Sequence, residues 1–312
     1  MSYLNFIDYL MIFAYLAGMA VIGLVISRKQ TSTSAYFVAG RKIPAFAVAF
    51  TLMATTISSV TFVAIPGSVF AKNWWQMLYM AMAIVVLAFV VAFVVPFYRK
   101  VVKLSAYEYL ERRFGYPARV YGSIGFIILR IADLGFTLYL TAVAVDVIAG
   151  WNITWVVVGV GLFTLFYTLI GGIEAAIWTS VAQGVILIGG AFLMLGVILF
   201  VPEQGPGAVL STAFEAGKFN LGNFELSWRS LFFEETTAWI YILAGLMYFG
   251  RYYVTEQNMV QRYLVARTDK QAQKGVLMGV LTTVPTWFAF AFIGACLFAF
   301  YQLTGEALPA EV

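Results

Sequence analysis

Between Ala54 and Thr61 the chain reads Ala-Thr-Thr-Ile-Ser-Ser-Val-Thr, with five hydroxyl side chains in seven residues inside an otherwise apolar run. Such residues make weak helix, because their oxygens compete for backbone partners and β-branched side chains lose rotamer freedom. A helix broken near Ala54–Ser59 is therefore predicted. In a bilayer, unwound backbone is tolerated only where protein or a water-filled cavity surrounds it, and there its carbonyls and hydroxyls can ligate a hard cation such as Na+. The alternative is that the hydroxyls bond back to their own helix or to neighbouring helices.

Charge inside apolar runs is the second signal. Arg130 and Asp133 lie one helical turn apart, and Asp146 follows near the end of the same run. Intramembrane charge is costly and marks function by default. An i,i+3 pair can also satisfy itself with structural value only. An Asp133–Asp146 carboxylate dyad is excluded by their separation along one helix. Gly171-Gly172, ahead of Glu174, suit a tight turn between two helices, and Tyr252-Tyr253 open a polar stretch through Glu256, Gln257, Gln261 and Arg262.

These residues need membrane helices to hold them. Of 312 residues, 62% are hydrophobic and only 11% charged, against roughly 45–50% and 25% in soluble domains. The absence of His and the single Cys296 exclude disulfides, Cys clusters, His-ligated metals and His-based acid–base chemistry, and no nucleophile–base set points to an enzyme. The first apolar run has no basic residue before it and no clear cleavage site after it, so it reads as a retained span.

With about 20 apolar residues per span, eight are predicted: 6–26, 45–70, 74–97, 118–149, 151–170, 175–201, 236–254 and 275–303. Fourteen Lys and Arg fall in the loops after spans one, three and seven. They include Lys29, Arg41, Arg99, Lys103, Arg119, Arg262 and Lys274. Only Lys72, Lys218 and Arg229 lie on the other side, with acids such as Glu203 and Glu234. Basic loops stay cytoplasmic, so both termini are expected outside a multi-pass protein of the cell membrane. That topology accounts for the net charge of +4 without nucleic acid. The outer loop 202–235 is expected to carry a short surface helix.

Together these segments resemble the sodium:solute symporter family. Tyr36-Phe37 with Gly40-Arg41, the 54–62 stretch and Pro66-Gly67 are similar to its first core helix. Ser105 to Phe114 resembles its third-loop motif, Gly171 to Thr179 its signature turn, and Gln257 with Val260 to Leu264 its seventh-span motif. The resemblance implies an all-α membrane protein with a LeuT-type inverted-repeat bundle, here truncated to about eight transmembrane helices. It implies a single transmembrane domain: an extra first helix and loop (1–44), a five-helix repeat (45–201), the outer loop (202–235) and the opening two helices of a second repeat (236–312). The Ser-rich helix that completes family sodium sites is not found.

Carried over, the resemblance implies Na+ as the co-transported ion, held by the backbone carbonyls of Ala54 and Ile57, and alternating access. Its nearest branch is the sialic-acid and sugar transporters, where Thr56, Ser58 and Thr61 line the substrate cavity and Tyr252 falls at an inner gate. Two departures matter. Asp133 stands where sialic-acid transporters have an Arg for the substrate carboxylate, and Ser180 where several members have an Asp serving a second sodium, so sialic acid and a second ion are both brought into question. The expectation is a sodium-coupled symporter for a small polar solute such as a sugar or sugar derivative, with the bilayer and that solute as partners and no obligate protein partner. A partial transporter lacking a complete site and a passive channel are the alternatives.

Overall fold

The computed structural model describes residues 4–28, 32–58, 60–102, 105–225, 227 and 237–305. The expectations placed on Lys29, Ser59, Lys103, Arg229 and Glu234 lie outside them. Thirteen α-helices are described: α1 (Phe6–Ser27), α2 (Thr33–Val38), α3 (Ala45–Thr56), α4 (Ile65–Ala71), α5 (Trp75–Phe89), α6 (Val95–Val101), α7 (Ala106–Phe114), α8 (Tyr116–Ala149), α9 (Ile153–Phe200), α10 (Gly205–Glu215), α11 (Ala238–Thr255), α12 (Gln257–Leu264) and α13 (Asp269–Thr304). Among the described residues extended pairing is confined to two isolated bridges, Ile43 with Ala266 and Asn223 with Thr237.

Among the described residues the predicted spans are largely helical, the second being interrupted after Thr56, and α10 is the short helix expected within 202–235. Among the described residues five helices are long and apolar enough to cross a membrane, six if Ala45–Thr56 and Thr61–Ala71 count as one broken span. This count is below eight partly because the predicted fifth and sixth spans form one 48-residue element, α9, turned at Gly172 (φ 61, ψ −158). Only glycine adopts that region freely. A Cβ there would also lie 2.9 Å from the Tyr36 carbonyl oxygen.

Wide π turns at Val60–Ala64 and Val90–Val94 come directly before Pro66 and Pro96. Proline lacks an N–H and clashes with the carbonyl four residues back, and a wide turn relieves both defects. In its most apolar stretch α8 buries only 6% of residues, and Ile127, Ile128, Leu129 and Ile131 face outward. Such a surface suits hydrocarbon or further apolar helices, not water.

The chain forms two compact units, and several helices pass from one to the other. The first takes 1–59, 89–184 and 252–279; the second takes 60–88, 185–251 and 280–312. In the first, Gly275 and Gly279 of α13 let it close onto Val48 and Leu52 of α3, where added Cβ atoms would lie 2.7 and 3.0 Å away. Small residues permit such approach in membrane helices. Arg99 ties this unit together. Its Nε donates to Asp269 (2.5 Å) and its Nη1 to the carbonyls of Tyr263 (2.8 Å) and Ala266 (3.0 Å) just where α12 ends. The positive charge there complements the helix C-terminus.

In the second unit, aromatic contacts link α4 and α13 through Phe70 with Phe298 and Tyr301, and α5 to α11 through Tyr79 with Tyr248 and Phe249. Lys218, at 6% exposure, donates to the carbonyls of Phe70 (2.6 Å) and Lys72 (3.1 Å) and stands 3.9 Å over the Phe298 ring. Burial lowers its pKa.

Candidate functional site

Helix α3 stops where the hydroxyl-rich stretch begins to dominate. Thr56 is its last residue, and Ile57 is extended (φ −96, ψ 124), its N–H still donating to the Met53 carbonyl at 2.8 Å. A helix leaves the carbonyls of its last turn without intrahelical donors. Ala54 lies in that turn and Ile57 just beyond it, so the two residues named for sodium present backbone oxygen at a helix end within an apolar segment.

The hydroxyls divide between the two readings. Thr55 Oγ1 donates to the Thr51 carbonyl (2.6 Å) and Thr56 Oγ1 to those of Met53 (2.8 Å) and Leu52 (3.1 Å). Both thus bond back to their own helix, which uses the hydroxyl proton and leaves the oxygen able to accept. Ser58 is half-buried beyond the helix end. Thr61 is buried and belongs to the second compact unit. Ser180 Oγ donates to the Ala176 carbonyl (2.6 Å) within α9.

Tyr252 is buried near the end of α11, its ring edge-on to Tyr253 at 5.6 Å. The polar stretch after it is a packing hub. Gln257 Oε1 accepts from the Ala106 N–H (2.8 Å) at the start of α7, and the Gln261 amide donates to the Phe37 carbonyl (2.8 Å). Tyr263 donates to the Tyr253 carbonyl at 2.8 Å, and burial drives its phenol well above the ordinary value.

Arg130 and Asp133 pair as their spacing predicts, with Nη1 2.9 Å from Oδ2. Sequence reasoning missed the second partner: Glu256 Oε1 lies 3.4 Å from Arg130 Nη2, with 4% of its side chain exposed against 59% for Asp133. Phe126 lies under the guanidinium at 5.8 Å. Burial, then the Glu256 carboxylate, pushes the neighbouring Tyr107 phenol up to about 12. The only sequence signal for Glu256 is a carboxylate closing an apolar run, and nothing in the sequence links it to Arg130.

The family model for the sodium:solute symporter family matches residues 36–307. The chain is 33% identical over 309 residues to the sodium/sialic acid symporter SiaT of Proteus mirabilis, covering 98% of this chain and 61% of that one. It is 36% identical over 306 residues to the sodium/sialic acid symporter NanT of Aliivibrio fischeri, covering 97% and 59%. A solved structure of the substrate-bound outward-open state of a Na+-coupled sialic acid symporter superposes with a TM-score of 0.92 at 32% identity, covering 99% of this chain and 63% of that one. The chain thus spans about 60% of the length of the relatives it matches. The resemblance carried by four separate motifs extends along nearly the whole sequence. This multi-pass helical membrane protein belongs to the sodium:solute symporter family.

Proposed function

We propose that the chain is the site-bearing part of a sodium-coupled symporter that moves a small polar organic solute by alternating access. The supporting observation is the end of α3 at Thr56, with extended backbone at Ile57 inside an apolar segment. Sodium is a hard cation that wants several oxygen ligands, and a broken membrane helix supplies carbonyls without burying a second charge. Ala54 and Ile57 give two such carbonyls. Thr56, Ser58, Thr61 and Tyr252 carry the substrate, since hydroxyls that donate and accept suit a hydroxyl-rich solute.

The solute is a neutral sugar or sugar derivative. A carboxylate substrate requires a cation with spare capacity. Asp133 stands where the sialic-acid branch has its Arg, and Arg130 is already engaged by both Asp133 and Glu256. This chain sits in the cell membrane with eight spans and both of its own ends outside, needing no obligate protein partner.

Uptake by the full-length protein in proteoliposomes tests this reading. Accumulation driven by a Na+ gradient, competed by neutral sugars, is expected. Strong inhibition by sialic acid with none by neutral sugars sinks the substrate assignment, and uptake indifferent to Na+ sinks the coupling.

A further inference from the structure

Within the first compact unit, Tyr36, Phe37, Thr168, Gly172, Gln261 and Arg262 line a cavity of about 210 Å³. Arg262 is unusual among the described arginines. Like that of Arg130, its Nε is shut off from solvent without a hydrogen-bond partner, but unlike Arg130 it pairs with no carboxylate among the described residues. Among the described residues no acidic side chain lines the cavity. Arginine does not deprotonate at physiological pH, so the shielded Nε of this half-buried side chain lacks the compensation that buried charge requires. Burial pushes it down to about 10, against an opposing pull from the Tyr252 phenol, which leaves it charged near neutrality.

The other polar groups on the cavity wall are also donors. The Gln261 amide spends one N–H on the Phe37 carbonyl and keeps the other. Thr168 offers a hydroxyl from α9. The Tyr36 hydroxyl is committed to the Leu169 carbonyl at 2.9 Å, and with Phe37 it makes the apolar side of the wall. A planar fork and two further donors on separate elements match a group with three or four acceptor oxygens.

We propose that this cavity is an anion site for a phosphate group, carried either by an anionic phospholipid headgroup or by a soluble phosphate. The volume admits the phosphate and the first atoms of an attached ester. None of the lining residues is among those assigned to sodium and solute, although Arg262 feels the nearby Tyr252 phenol, and occupancy would fix the α9 turn at Gly172 against α12.

Thermal unfolding and native mass spectrometry of the purified full-length protein test the proposal. Inorganic phosphate is titrated in one arm; in another, nanodiscs of phosphatidylglycerol are compared with phosphatidylcholine. Stabilisation by several degrees, with retained phosphate or phosphatidylglycerol adducts, is expected. A response to inorganic phosphate assigns a soluble source, and a response to phosphatidylglycerol alone assigns the lipid. Arg262→Gln should weaken the response at least tenfold. If that variant does not fold, Thr168→Val, which keeps the guanidinium, should weaken it severalfold. No response to either probe in the wild type overturns the site, as does an undiminished response in Arg262→Gln or, where that variant does not fold, in Thr168→Val.

Discussion

Glu256 lies 3.4 Å from Arg130 across 126 positions of sequence, so the guanidinium that sequence spacing pairs with Asp133 is also held by a more deeply buried carboxylate. Removing each partner should therefore cost different amounts. Arg130→Met removes the cation beside the buried Glu256 carboxylate and is expected to lower stability by about 3 kcal/mol, the usual penalty for breaking a buried pair. Asp133→Asn removes the exposed partner and should cost less than about 1 kcal/mol. Thermal unfolding in one detergent ranks them, and equal losses would show that the second carboxylate carries no weight. Because Glu256 remains, Asp133→Asn should also leave solute preference unchanged in competition uptake.

Gly172 turns α9 in a conformation that side chains rarely adopt, with the Tyr36 carbonyl oxygen 2.9 Å from where a Cβ would stand. Gly172→Ala is expected to destabilise by about 3 kcal/mol through backbone strain and clash. Gly159→Ala, in the same helix with open space around it, should be neutral or slightly stabilising. Comparable unfolding temperatures for the two variants would refute this account of the turn.

Lys218 closes the end of α4 by donating to Phe70 and Lys72 while lying over Phe298. Lys218→Met keeps the bulk and removes the charge, which should cost about 2 kcal/mol. Amide exchange at the end of α4 should rise with it. Lys218→Arg retains the charge and should recover part of the loss, whereas a purely space-filling lysine would be better replaced by Met.

The proposed orientation places Thr33 and Asn220, both exposed, on opposite sides of the membrane. In a Cys296→Ala background, Asn220→Cys should react with an impermeant thiol reagent in intact cells and Thr33→Cys only after permeabilisation. The reverse pattern would invert the topology, and with it the asymmetry of basic loops as its cause.

Composition and local order were enough to read the class, the helical segments in outline and the two interruptions that matter most. A bilayer demands long apolar segments, a dense hydroxyl run weakens a helix wherever it occurs, and paired glycines permit a turn at their own position. The end of α3 at Thr56 and the turn at Gly172 were legible for that reason. The direction of each hydroxyl was not. Thr55 and Thr56 chose carbonyls of their own helix, a choice that depends on rotamer and on what surrounds the helix. Long-range partners were equally hidden: Glu256 beside Arg130, Arg99 on the carbonyls at the end of α12, and Arg262 left without a counter-charge at a cavity. Local sequence encodes which groups a segment carries and where it must bend. Only the packing of distant helices decides which charges meet and which stay unpaired, because those distances belong to the tertiary fold.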